Sequence, residues 1–496
     1  MSRIYYHHLI ENFTWDFKDF FHRYWSTSNF YPPVYMLSHL PLFLLFGKSQ
    51  DISTMTNIIF LAILLFSIYG IGKKIKDEQT GFFAAVFVST FPAIFGFSRT
   101  DFPILALTSL VVLSLYFLLK TECFTDKKYI ILFGISMGLG ELIKLTYFMY
   151  ILVPLIVYLV IYKSNLTKEK IVKLFFSLSI CLLIVSSWFV PNLISNTFIA
   201  EKHRLIGPKI GAIAEEFTLS YLNLIYKMVH PVYFFLLSIC ILLIIFLKVR
   251  YKYFLFLGFV FPLLVFSFFY SIESRYVFPI LPFGGLIIAS VIGSLRLLRM
   301  RRIIYYTILV FGLIEFLILT FKTDIHDKFT QEQYIQRREV GVLFSSQVNW
   351  PIEEVLDLLN DYKLVYKERN KLAEIIVLGE GPFLSALSYK ARLPAKIGKI
   401  EKAPYSFILS LMYPFRMVRT DIKNSEYIMV EKEAIEHIPR GCLGTFKRLQ
   451  EQFNKKKSIY DILGTVYFNN KNFVIYINKN LYKIIQENKR VKNIVK

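Results

Sequence analysis

The chain has 496 residues, of which 55% are hydrophobic and only 19% are charged, and its mean hydropathy is +0.48. A soluble domain of this length carries more charge, so the composition excludes an ordinary globular enzyme and indicates a polytopic membrane protein. Much of the formal charge of +22 sits in short connections beside apolar runs, where it orients helices, and this argues against nucleic-acid binding.

The chain opens on "MSRIYYHHLIENFTWDF", polar and aromatic, with no apolar region of the kind a signal peptide needs. Residues 33–47, "PVYMLSHLPLFLLFG", are apolar but short, and they carry His39 and Pro41. An interfacial or re-entrant helix is expected there. Apolar runs follow at 53–72, 80–97, 103–119, 129–143, 146–162, 172–191, 231–248, 253–270, 277–296 and 303–321, about ten candidate spans. The connections "GKKIKDE" (72–78), "DKKY" (126–129), "KSNLTKEKIVK" (163–173), "KVRYKY" (248–253) and "RLLRMRR" (296–302) are basic and fall on alternate turns. The positive-inside rule makes them cytoplasmic. The other side then receives residues 1–52, the turn "SRTD" (98–101), the turn at Lys144, the long loop 192–230, "SIESRY" (271–276) and everything after 322. Cys123, Cys181, Cys240 and Cys442 show no ligand spacing and read as small hydrophobes.

Beyond residue 322 the composition becomes that of a globular α/β domain. "NWPIEEVLDLLN" (349–360) has Asn349 as a cap and Pro351 in the first turn, a helix start. "AEIIVLGEG" and "SEYIMVE" read as strands, and "TVYFNNKNFVIYI" as a hairpin turning at Asn469–Asn472. Gly379 and Gly381 allow a sharp turn, but "GEGPF" lacks the spacing of a nucleotide loop. The expected fold class is mostly α, with a helical membrane domain of about ten transmembrane helices and a C-terminal soluble α/β domain. The segments are an outer-face region at 1–52, the membrane domain at 53–321 and the soluble part at 322–496.

Polar residues gather in the noncytoplasmic connections. Arg99 and Asp101 share one turn, and Glu273, Arg275 and Tyr276 share another. Lys144 ends an apolar run, the long loop carries Lys202, His203, Arg204 and Lys209, and Tyr31, Pro32 and Pro33 precede the interfacial helix. Cations with one or two carboxylates at a membrane rim suit a phosphate-bearing lipid. Arginine forks phosphate oxygens, and a carboxylate accepts the proton of an attacking hydroxyl. Each such residue has a plainer reading as an interfacial turn residue. His7, His8 and His22 have no ligand spacing, and no metal ligands are assigned.

Four segments carry a resemblance. "NFYPPVYMLSHLPLFLLFGKS" resembles the aromatic-or-Lys-Pro-Pro segment of the first large outer loop in polyprenyl-phosphate-sugar-dependent glycosyltransferases of the GT-C superfamily. That superfamily includes the protein O-mannosyltransferases and the aminoarabinose transferases. "FSRTDFPILALTSLVVLSLYFL" resembles its Arg-x-Asp turn, "GISMGLGELIKLTYFMYILVPLI" its glycine-rich helix pair with a following Lys, and "ESRYVFPILPFGGLIIA" its Arg-Tyr-x-x-Pro-x-x-Pro helix opening. Their order matches and the likeness covers the membrane region.

The resemblance implies a membrane glycosyltransferase of the plasma (inner) membrane that moves a sugar from a polyprenyl phosphate to an acceptor on the outer face, with inversion. The C-terminal domain is then extracytoplasmic. By position Asp101 matches the catalytic acid of the second loop and Arg99 its basic neighbour. Lys144 and Arg275 match phosphate or headgroup contacts, with His203, Arg204, Glu273, Tyr276 and Tyr31 as further binding candidates. Tyr31 stands where relatives often carry Lys. No cofactor is firmly implied, and a divalent metal has no supporting residue pattern. Partners implied are the lipid-linked sugar, a glycan, lipid or protein acceptor and membrane lipids. Relatives also have an N-terminal transmembrane helix followed by an acid, whereas Met1 to Ile4 hold none. Two expectations follow: a chain that begins late, which the topology favours, or a degenerate member acting as a noncatalytic scaffold. A multipass lipid or solute transporter is the rival from another class, although no symmetric halves are visible.

Overall fold

In hydrocarbon a backbone can satisfy its own polar groups only as helix or closed barrel, so apolar runs of this length should be helical. The computed structural model describes residues 9–10, 16–26, 32–47, 49–194, 214–267, 274–321, 373–378, 405–409, 427–431, 451, 453–455, 457–468 and 471–494. The chain divides into two units, Met1–Ser346 and Gln347–Lys496.

The first unit is helical. An amphipathic helix α1 (Phe17–Ser26) precedes two short helices, α2 (Val34–Leu37) and α3 (Leu40–Phe46), which occupy the segment expected to lie at the interface. Leu45 and Phe46 are largely exposed. Next come α4 (Gln50–Ile75), α5 (Glu78–Thr90) and α6 (Pro92–Ser98), then α7 (Ile104–Lys120), α8 (Lys127–Glu141), α9 (Tyr147–Ile161) and α10 (Lys168–Ile194). The second half holds α11 (Ala214–Val229), α12 (Pro231–Phe246), α13 (Lys252–Ser267), α14 (Ser274–Val277) running through a 3₁₀ turn into α15 (Leu281–Gly293), and α16 (Leu298–Phe321). Among the described residues three helices are long and apolar enough to cross a membrane alone, and five if each bent pair counts as one span. Leu183 and Phe246 are 74% and 83% exposed. Such faces would be a liability in water and are the ordinary surface of a protein solvated by lipid.

Two sequence expectations need correction. The run 80–97 is not one helix: α5 and α6 meet at a 68° bend. Pro92 forces the residue before it out of the helical region, and Phe91 is extended at φ −65°, ψ 126°. The stretch 192–230 is not all loop, because α11 lies within it and joins α12 through a 118° bend at His230-Pro231. His230 adopts φ +73°, ψ 146°, a conformation that side chains rarely take. The two breaks touch, with the Tyr233 and Thr90 hydroxyls 2.7 Å apart and the Tyr233 ring edge-on to Phe91.

Basic connections gather at one end of this unit. Lys74 bridges to Glu122, Cys123 Sγ contacts the Asn165 carbonyl, Tyr162 and Tyr251 share a hydroxyl contact, Lys76 donates to the Gly293 carbonyl and Arg301 bridges to Asp77. Helices α4 and α5 meet backbone to backbone at this end. A Cβ on Gly72 would lie 2.6 Å from the Gly81 Cα, and one on Gly81 would lie 2.4 Å from the Tyr69 carbonyl oxygen. Cys123, Cys181 and Cys240 are buried free thiols, and Cys442 lies outside the described residues.

The second unit holds a five-stranded sheet in the order β2-β1-β3-β5-β4, formed by β1 (Ala373–Leu378), β2 (Tyr405–Leu409), β3 (Tyr427–Glu431), β4 (Tyr460–Phe468) and β5 (Lys471–Asn478). The pairs β1–β2 and β1–β3 are parallel, and β3–β5 and β4–β5 are antiparallel. Strand β2 was not anticipated from sequence. In the β4–β5 hairpin Phe468 pairs with Lys471, a tighter turn than the Asn469–Asn472 expected. Helix α17 (Lys479–Ile494) follows, with Leu481 and Ile485 buried. The helix read at 349–360 and the turn at Gly379 and Gly381 lie outside the described residues.

Because the Gly81 contact is with backbone, no rotamer relieves it. Gly81→Val should cost about 1–3 kcal/mol by overpacking and lower the unfolding temperature of detergent-solubilised protein, whereas Val at the solvent-open Gly47, strained only by its φ of +86°, should act through the backbone alone.

Candidate functional site

The corner that closes α6 and opens α7 carries Arg99 and Asp101. Helix α6 ends at Ser98, and Pro103 precedes the first turn of α7, so the four residues between must turn at an end of the helical unit. The corner is fixed from α4, where the buried Asn57 donates its amide to the Thr100 carbonyl at 2.6 Å. Phe97 packs edge-on to Phe278 at 5.0 Å, tying the corner to the segment that follows Arg275.

Asp101 faces α2 and α3. The Tyr35 hydroxyl donates to Oδ1 at 3.0 Å, and His39 Nε2 lies 3.2 Å from the same oxygen. His39 is fully buried, whereas the Asp101 side chain is 34% exposed. Burial pushes the Asp101 carboxyl up. The hydrogen bond and charge of His39, with the Tyr35 hydroxyl, outweigh it and hold the group below the usual aspartate range. Arg99 turns the other way and its guanidinium lies over the rings of Phe95 and Phe316, at 5.7 and 5.8 Å from their centres. Burial lowers its pKa from the usual arginine value.

The same pair of short helices reaches the second cationic group. Val34 donates its backbone N–H to the Leu142 carbonyl at 3.1 Å, two residues before Lys144. Lys144 Nζ and the Arg275 guanidinium each lie 5.3 Å from the centre of the Tyr276 ring, so they are no farther apart than twice that distance. Tyr276 is held by stacking on Phe266 at 4.9 Å, and its carbonyl accepts from the Tyr150 hydroxyl at 2.9 Å.

Arg99, Asp101, Lys144, Arg275 and Tyr276 therefore sit at one end of the helical unit, opposite the basic connections. Tyr31, His203, Arg204 and Glu273 lie outside the described residues, as do Lys202 and Lys209. Tyr35 and His39 were missed as site residues. Their only sequence signal was a histidine in an otherwise apolar stretch, which counted as evidence against a crossing. Among the described residues no group of three or more His, Cys, Asp or Glu side chains is placed to hold a metal ion. This end of the helical unit carries a carboxylate held below its ordinary pKa and, on another turn, two cations over one aromatic ring, groups able to take a proton and to bind an anion.

Comparison with known proteins finds a family match over part of the chain and a shared fold. Residues 31–190 match the family described as dolichyl-phosphate-mannose-protein mannosyltransferase. No curated protein matches the chain in sequence. The crystal structure of ArnT from Cupriavidus metallidurans bound to undecaprenyl phosphate is similar with a TM-score of 0.52 and 10% identity, over 90% of this chain and 87% of that one. The apo state of the same protein gives 0.52 and 11%, over 91% and 88%. The archaeal oligosaccharyltransferase AglB from Archaeoglobus fulgidus gives 0.49 and 11%, over 85% and 64%.

A carboxyl held below its ordinary pKa in the folded state adds stability that is complete above the unfolded value of about 3.9 and is lost as pH falls through the folded value. Asp101→Asn removes this contribution, so its unfolding temperature should fall less than that of the unaltered protein between pH 5 and pH 3, as read by thermal unfolding in detergent.

Proposed function

We propose that this chain is a GT-C-type membrane glycosyltransferase that moves a sugar from a polyprenyl phosphate to an acceptor hydroxyl or amine on the outer face of the plasma membrane, a reading supported by the family match over residues 31–190 and the shared fold. The carrying observation is that a single element, α2 with α3, contacts Asp101 and bonds through Val34 to the Leu142 carbonyl, two residues before Lys144, which shares the Tyr276 ring with Arg275. The match of residues 31–190 to the dolichyl-phosphate-mannose-protein mannosyltransferase family spans that element, Asp101 and Lys144. A fold shared with ArnT, whose structure holds undecaprenyl phosphate, supports a polyprenyl-phosphate donor. Alternation of the basic connections supports about ten crossings, with the site end outside.

In this reading the acceptor attacks the anomeric carbon from the face opposite the phosphate. The new bond forms as the bond from that carbon to the phosphate oxygen breaks, with inversion. Asp101, ionised at neutral pH, takes the proton that the acceptor loses. The electron pair leaves with the lipid phosphate, whose charge Lys144 and Arg275 stabilise as it develops, while Arg99 adds positive potential at the same rim. Tyr276 sets the two cations in place through its ring.

The test supplies membranes containing the protein with a panel of radiolabelled polyprenyl-phosphate hexoses and pentoses and follows label into the acceptor fraction. Asp101→Asn should lower transfer by roughly 10²–10⁴-fold with membrane abundance unchanged. Unaltered transfer removes Asp101 from the site.

Arg275→Ala should raise the donor KM by about 10–100-fold, the worth of one charge-assisted hydrogen bond. Normal saturation by the donor counts against the phosphate role.

A further inference from the structure

The mechanism above uses Asp101 as a base but leaves unexplained how a carboxylate this deep stays ionised and keeps one orientation. We propose that His39 and Tyr35 are positioning residues for Asp101, pinning Oδ1 so that Oδ2 is presented to the acceptor. The inference rests on the reading of Asp101 as the catalytic base.

Geometry carries it. Among the described residues both contacts to Asp101 fall on one oxygen, the Tyr35 hydroxyl at 3.0 Å and His39 Nε2 at 3.2 Å, and the side chain is otherwise a third exposed. A carboxylate held at a single oxygen by a hydroxyl donor and a close imidazole contact has its plane and its second oxygen set by them. The donors are themselves fixed. Tyr35 and His39 are four residues apart and share one face of the α2–α3 segment, with their rings edge-on at 4.7 Å. His39 is backed by Phe43, one further turn along, and Tyr35 by Phe60 of α4. The Thr100 carbonyl beside the carboxylate is anchored by Asn57. With no exposed surface, His39 does not itself meet a substrate, and its contact with Asp101 is the route by which it bears on the reaction. Its Nε2–H is a donor in the cation and in one neutral tautomer, so the role does not require a charged imidazole.

Charge makes the same case. Removed from water, a carboxylate reverts to its neutral form unless hydrogen-bond donors replace the lost hydration. Of the titratable groups among the described residues, His39 and Tyr35 are those in contact with the Asp101 carboxylate, from α3 and α2, while Arg99 on its own turn stacks over Phe95 and Phe316. Deleting a donor while the burial stays should therefore raise the pH at which Asp101 loses its proton.

The experiment labels purified full-length protein with dicyclohexylcarbodiimide, which reacts with protonated carboxyls, across a pH series and quantifies modified Asp101 by mass spectrometry. His39→Ala should move the labelling midpoint upward by about one pH unit. His39→Gln, which keeps a neutral donor, should restore most of the difference, and the near-isosteric Tyr35→Phe should give a smaller upward shift. Midpoints that stay at the native value in both His39→Ala and Tyr35→Phe overturn the proposal. In the transfer assay the acid limb of kcat should move with the labelling midpoint while donor KM holds; an acid limb that stays put as the midpoint moves also overturns it. Failure of the underlying reading looks different, since Asp101→Asn would then retain transfer whatever the labelling shows.

Discussion

The structure depends first on the cost of ionised groups in hydrocarbon. A charge at the bilayer centre costs several kcal/mol, and each ion pair among the described membrane helices lies at or near a helix end. The basic connections gather at one end, where Lys73, Lys74 and Arg301 meet Glu78, Glu122 and Asp77. At the other end cations are held over aromatic rings: Arg99 over Phe95 and Phe316, and Lys144 and Arg275 over Tyr276.

Proline then shapes what the apolar runs build at that end. Pro92 and Pro231 each break a helix, and the breaks pack on one another through Thr90, Phe91 and Tyr233. The first break turns α6 away from α5, which delivers Arg99 and Asp101 as a corner and not as a continuation of a span. Beside the second break the carboxylate of Glu315 is nearly buried, 3.8 Å from His230 Nε2. His230 Nδ1 accepts from the Val232 N–H at 3.3 Å, which leaves Nε2 as the protonated nitrogen facing Glu315. At 3.8 Å the contact is beyond hydrogen-bonding reach, and neither Glu315 oxygen has a hydrogen-bond partner among the described residues.

Much of this was legible in the residues, for physical reasons that also mark the limit. Each of the ten apolar runs is largely helical among the described residues because apolarity over that length has one backbone solution, and charge alternation already sorted the connections that contacts join. Hydrophobicity is blind to direction, however, so the run 80–97 read as straight although Pro92 was in plain view. Helix α11 hid in a loop because its polar residues and the basic stretch before it masked its apolar face. In the second unit β1, β3, β4 and β5 stood out by β-branched and aromatic content, whereas "YSFIL" of β2 is too short to separate from a buried turn.

For the site, sequence could nominate Asp101, Arg99, Lys144 and Arg275 because charged residues are rare beside apolar runs and each therefore needs a reason. It could not nominate Tyr35 or His39, whose relation to Asp101 spans more than sixty residues and exists only after folding. The asymmetry is general. Groups that meet a substrate must be polar and accessible, and so they show against an apolar background. Groups that tune them must be buried, and so they pass for core. His39 lies between the two, being polar in kind and wholly enclosed beside a partly exposed carboxylate. The short helices α2 and α3 are thus more than a membrane-surface element. They hold Tyr35 and His39 against Asp101 on one face and bond to the Leu142 carbonyl near Lys144 at their start, which makes them the piece that links the two turns.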